Sequence, residues 1–159
     1  MAALREALQD SGMSRVRTYL QSGNVIADSD IQTEASVSDF ISDVIASRFK
    51  MSVPVFARSP DELRELIRLN PFADNAAQSP TLVRVFFLSE APSAHQVKLL
   101  SAESRLRCDW QVSGRNVYLS YRSAEEYQAG STPYIAKNLC VDGTERNWRT
   151  VSALAKMCS

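Results

Sequence analysis

Apolar and polar positions divide this chain into helical and extended stretches. Leu4, Ala7 and Leu8 share one face of a helix over residues 2–11, and Gly12 is its stop. Residues 15–20 and 24–28 alternate and are β-prone. Gln21, Ser22 and Gly23 join them as a hairpin. Val37, Phe40, Ile41, Val44, Ile45 and Phe49 recur at i, i+3, i+4 and predict a helix over 34–49. Residues 53–58 read as a strand. Pro54 cannot donate a ladder hydrogen bond, so that strand belongs at an edge.

Ser59, Pro60 and Glu62 make a helix start with a capping box. Leu63, Leu66 and Ile67 follow as a buried stripe, and Asn70-Pro71 ends the helix. Residues 73–80 read as an exposed loop. Residues 81–88 are the most hydrophobic strand and predict a central position. A helix follows to about residue 103, with Val97 and Leu100 inward. Strands 107–113 and 116–122 form a second hairpin through Gly114-Arg115. Helices over 133–139 and 146–157 close the chain, the last with Trp148, Val151, Leu154 and Ala155 on one face.

The order places a β-hairpin between helices in each half. That predicts an α+β protein of two ferredoxin-like, split β-α-β subdomains, residues 1–58 and 59–159. The first lacks an opening strand. A doubly wound nucleotide-binding sheet would need serial parallel βαβ units, which the pattern does not contain.

Composition narrows the chemistry. The 159 residues suit one domain or two small halves. Apolar content of 45% and charged content of 23% are ordinary for a globular protein. Lysine plus arginine and aspartate plus glutamate number 18 each, so net charge argues against broad nucleic-acid or membrane binding. No apolar run reaches the roughly 20 residues that span a bilayer, and no leader is visible, which predicts a cytosolic protein. Cys108, Cys140 and Cys158 are too few and too scattered for a disulfide framework or a zinc site. His95 is the one histidine, and it falls in a first helical turn. A multi-histidine metal site is excluded, and no cofactor is implied. The phosphate-loop, dinucleotide, serine-hydrolase and zinc-protease motifs are all missing. Glu125 and Glu126 are adjacent and point apart on a helix, as a solvated face does.

Three places can carry binding. The turn Gln21, Ser22, Gly23 and Asn24 offers a flexible glycine and hydrogen-bonding side chains, with Arg17 and Tyr19 on the preceding strand. A plain hairpin turn wants the same residues. In the stretch Gly143, Thr144, Glu145, Arg146, Asn147, Trp148 and Arg149, Thr144 precedes a helix and can cap it, with two arginines beside free backbone N–H groups. That suits an anion, and equally an ordinary capped helix. A sheet face bearing Arg17, Tyr19, Tyr118 and Arg122 would suit stacked RNA bases if it were open.

The segment Val16-Arg17-Thr18-Tyr19-Leu20-Gln21-Ser22-Gly23-Asn24-Val25 resembles the signature hairpin of the DUF1697 family, uncharacterised bacterial proteins. Thr144-Glu145-Arg146-Asn147-Trp148-Arg149-Thr150-Val151 resembles its closing motif, and the segments between match in order. The resemblance implies two ferredoxin-like subdomains and little about activity. Members of that family usually open with a hydrophobic strand and a glycine-containing loop, so this chain reads as truncated or as having lost that strand. Gly130-Ser131-Thr132-Pro133 stands where a basic Ser-Lys stretch is typical. A neighbour left without its strand would invite a homodimer or strand exchange.

The leading expectation is a binding protein for a small anionic metabolite, held by Ser22, Gly23, Asn24, Thr144, Arg146, Asn147 and Arg149. One alternative is an enzyme acting on a phosphorylated or nucleotide-like substrate, with no catalytic residue identified. The other is a protein-interaction module that uses an open sheet edge.

Overall fold

The computed structural model describes every residue except Ser22, Ser104 and Ser159. The chain is α+β and divides into two compact units, Met1–Glu62 with the chain from Leu154 onward, and Leu63–Ala153. Its strands form two separate antiparallel sheets, one in each unit.

The first unit begins with helix α1 (Ala2–Asp10), whose buried Ala7 and Leu8 follow the predicted face. Strands β1 (Ser14–Tyr19) and β2 (Asn24–Asp28) pair antiparallel, with Tyr19 opposite Asn24. Helix α2 (Glu34–Phe49) starts at Thr33, whose hydroxyl accepts from the Ser36 amide, and stops where Lys50 turns left-handed. Its Ile41, Val44 and Ile45 meet Leu8, Met13 and Val16 in one apolar cluster.

Residues 53–58 differ from the predicted strand: they belong to no sheet. Side chains of α2 hold them instead. Ala57 N donates to Ser38 Oγ at 3.0 Å, and Ser42 Oγ donates to Val53 O at 3.3 Å. A ladder needs an adjacent strand, and no described strand lies beside this segment.

Helix α3 (Pro60–Arg68) opens with the predicted capping box. The Glu62 amide donates to Ser59 Oγ and the Ser59 amide to Glu62 Oε2. Leu63 and Leu66 are buried, whereas Ile67 is exposed. Residues 73–80, predicted as a loop, contain helix α4 (Ala73–Gln78), anchored by buried Ala76. Its single apolar anchor gave no visible period.

The second unit carries β3 (Val83–Leu88), α5 (Ala94–Ser101), β4 (Asp109–Ser113), β5 (Asn116–Ser120), α6 (Ala124–Gln128), α7 (Thr132–Leu139), β6 (Gly143–Asn147) and the start of α8 (Trp148–Met157). Its strands lie in the order β4-β5-β3-β6, each antiparallel to its neighbours. Strand order and connections together make this unit ferredoxin-like. Strand β3 is central, as its hydrophobicity predicts. Phe86 and Leu88 pack with Val117 and Leu119 against Leu100, Ile135 and Leu139 of α5 and α7. Val83, Val85 and Phe87 project to the opposite face and are buried as well.

Strand β6 is a correction to the sequence reading. Residues 143–147 were predicted as a loop and helix start, yet they pair with β3 along their length. The strand is polar because it is an edge, partnered on one side only. Gly143 is required there. A Cβ would stand 2.7 Å from the Phe86 ring and 2.7 Å from Phe87 O.

Candidate functional site

The hairpin turn lies in the first unit. Gly23 has φ +80°, a conformation glycine adopts without cost. Asn24 is buried and its Nδ2 donates to Tyr19 O at 3.0 Å, so this side chain closes the turn. Ser22 lies outside the described residues. Arg17 is exposed and its Nη2 donates to Met157 O at 2.5 Å.

The residues of the predicted anion site lie in the second unit, and they do not form a helix N-terminus. Thr144 and Arg146 sit on β6, opposite Phe87 and Val85. Arg146 is half-buried. It donates to Thr144 Oγ1 at 2.7 Å and to Glu145 O at 2.8 Å, and burial pushes its guanidinium pKa down. Asn147, not Thr144, caps α8: its Oδ1 accepts from the Thr150 amide at 2.9 Å. Arg149 is exposed in the first turn, its backbone N–H bonded to Pro80 O. Two misreadings share one cause, a strand of alternating polar residues that lacks the apolar period marking its neighbours.

The third candidate is closed. Tyr118 is 1% exposed, and its hydroxyl donates to Leu66 O of α3 at 2.9 Å. Beside it Asn75 of α4 donates to Ser120 Oγ at 2.8 Å. Helices α3 and α4 thus cover the sheet face that would have stacked bases. Arg122 is exposed beyond the end of β5, 4.0 Å from Asp109. Arg17 and Tyr19 belong to the other sheet.

Sequence reasoning missed a buried polar group in the second unit. Arg84 donates to Glu145 at 2.8 Å, with side chains 16% and 10% exposed. Thr132 donates to the other Glu145 oxygen, and the Tyr127 ring lies 3.6 Å beneath the Arg84 guanidinium. Tyr127 meets Tyr121 edge to face. Burial raises both the Tyr121 phenol and the neighbouring Cys108 thiol, keeping them protonated. A nucleophile needs the opposite shift. The group therefore ties β3, β6, α6 and α7 together rather than activating an atom. No group of three metal-ligating side chains occurs among the described residues. His95 is exposed in the first turn of α5.

The first unit holds a feature of another kind. Strand β2 pairs with β1 on one edge, and no described strand lies on its other edge. The apolar cluster beneath is buried, and Leu4, Val25, Ala27, Val37, Phe40 and Val55 pack against it while staying partly exposed. A cavity of about 480 Å³ opens where β2 ends, lined by Gly12, Ser14, Ala27, Asp28, Ser29, Asp30 and Pro60.

A family model described as "Protein of unknown function (DUF1697)" matches residues 1–118. The motif at 144–151 lies beyond that match. A solved structure, "conserved bacterial protein SP0830 from Streptococcus pneumoniae", aligns with a TM-score of 0.76 at 18% identity, covering 99% of this chain and 88% of that one. At that identity the likeness speaks for the fold alone. No curated protein matches the chain. No helix among the described residues is long and apolar enough to cross a membrane.

Proposed function

We propose, for a chain that belongs to the DUF1697 family, that it works as a protein-interaction module whose open sheet edge accepts a strand. One observation carries the reading: among the described residues β2 has a single strand partner, beside partly exposed apolar side chains such as Val25, Phe40 and Val55. Unpaired N–H and C=O groups along an edge are a template for a further strand, and main-chain hydrogen bonds supply the affinity. Three free thiols favour a reducing, cytosolic setting. A homodimer joined through β2 is the symmetric form of the same association.

The anionic-metabolite reading used the hairpin turn as well as a helix N-terminus at Thr144, and the enzyme reading used Arg146 and Arg149 beside that terminus. Arg146 now has local partners, which weakens both.

Peptide display against the purified protein tests the proposal. Selected peptides should alternate apolar and polar residues, and Ile26→Pro and Val25→Pro variants should lose them. A metabolite screen should leave the melting temperature unchanged. Selection of no alternating pattern would sink the reading. So would a phosphorylated metabolite that raises the melting temperature and loses its effect in the Arg146→Ala, Arg149→Ala variant.

A further inference from the structure

We infer that the second unit pairs with that of a second copy along β4, joining two four-stranded sheets into one across a twofold axis at Gln111. This edge is separate from β2, and the inference stands without the reading proposed above.

Strand β4 ends its sheet, with β5 as its one strand neighbour among the described residues. Natural proteins blunt such edges with proline, lysine, inward charge or a bulge. Asp109-Trp110-Gln111-Val112-Ser113 holds no proline and no lysine, and its one charge is at the end. It also stays in register with β5 throughout. The opposite edge, β6, carries Glu145 and Arg146 in its middle. Of the two edges, β4 is the one with nothing to deter pairing.

The hairpin sets which backbone groups face outward. Ser113 and Asn116 flank the two-residue turn Gly114-Arg115, with Gly114 at φ +55°. Such a turn closes on a hydrogen-bonded pair. Along an antiparallel ladder the bonded pairs alternate, so Ser113, Gln111 and Asp109 turn their N–H and C=O groups toward β5. Trp110 and Val112 turn theirs to the open side.

One antiparallel register of β4 on itself engages all of its 5 residues. It sets Gln111 opposite Gln111 of the second copy, Trp110 opposite Val112, and Asp109 opposite Ser113. Each Trp110–Val112 pair then exchanges its outward N–H and C=O groups. Trp110 and Val112 pack partly buried against the core shared with α5 and α7, so apolar meets apolar on that face. Exposed Gln111 meets its own amide, and no like charges are opposed. Arg115 of each copy stands diagonal to Asp109 of the other, within reach of a long side chain. A shift by two residues leaves part of the strand unpaired, and a shift by one sets apolar against polar. The strand cannot lengthen to compensate, because the chain bends at Cys108 and the Arg107 amide is held by Ser131 Oγ at 3.0 Å. A foreign strand would have to carry this pattern. A second copy already does, and a twofold contact needs only such a self-complementary patch.

Analytical ultracentrifugation of the full chain over about 1–500 μM tests the inference, since a small interface of this kind gives micromolar affinity. The protein should dimerise. Gln111→Lys and Gln111→Glu place like charges at the axis and should each weaken the dimer about tenfold or more at low salt. An equimolar mixture of the two variants should restore it. Urea melts matching the parent protein show that both variants fold. Gln111→Cys should form an intermolecular disulfide under diamide, because a non-hydrogen-bonded pair at the axis sets its Cα atoms about 4.5 Å apart. Ser113→Cys should not, and peptide mapping by mass spectrometry separates the new bond from the native thiols. A monomer throughout the range would overturn the inference. So would a dimer that both charged variants keep, and its loss in Val25→Pro would then assign the contact to β2.

Discussion

Removing one buried hydroxyl isolates the contact that closes the sheet face of the second unit. Tyr118 is 1% exposed and donates to Leu66 O at 2.9 Å. That carbonyl is in the last turn of α3, where helix carbonyls lack intrahelical donors. The amides of Leu69 and Asn70 go to Glu65 and Ile67 instead. Tyr118→Phe keeps the ring and leaves the Leu66 carbonyl without its donor, at a cost of about 1–3 kcal/mol. For a unit of this size each kcal/mol is about 4–8 °C of melting temperature. The same residue has a pH signature. Burial, and then the charge of Glu65, push its phenol up to about 12. In the unfolded chain it titrates near 10. Between those values the folded state holds the extra proton, so stability is full below pH 10 and falls as pH rises toward 12. By pH 11 the loss is about 1.4 kcal/mol, and Tyr118→Phe escapes it. Urea melts of both proteins at pH 7 and pH 11 should show the gap at pH 7 shrinking by about that amount. A pH 7 difference under about 0.5 kcal/mol, with the same gap at pH 11, would refute the burial and the bond together.

Gly143→Ala should lower the urea midpoint by an equivalent of about 1–3 kcal/mol, because its Cβ would press on the Phe86 ring and the Phe87 carbonyl. Glu145→Gln leaves the buried Arg84 guanidinium without its anion and should cost about 3–5 kcal/mol in the same assay, with Arg84→Met, Glu145→Leu recovering much of it. Iodoacetamide at pH 8 should modify exposed Cys140 well before half-buried Cys108, whose thiol burial holds protonated; mass spectrometry of digests reads the order.

Much of the architecture was legible in local patterns. The stripe Ile41, Val44 and Ile45 marks α2, the box Ser59 to Glu62 starts α3, and the run at 81–88 announces a central strand. Those signals are local because a helix face, a cap and a doubly buried strand each impose their own residue pattern. The candidate sites were less legible. Thr144 to Asn147 read as a helix entrance because an edge strand can be wholly polar when its partner lies far away in sequence. Tyr118 read as an exposed aromatic because its hydroxyl's partner, Leu66, lies 52 residues earlier.

The sequence by itself determined the α+β class, the buried faces of α1 and α2, the capping box of α3, both hairpins and the family. Each rests on residues within a turn or a strand of one another, where spacing alone decides which side is apolar. Tertiary structure decided what lay between distant segments. It made 143–147 a strand, buried Tyr118, joined Arg84 to Glu145 and gave β2 a single strand partner among the described residues. Those outcomes depend on pairing across long loops, whose partners no local pattern names.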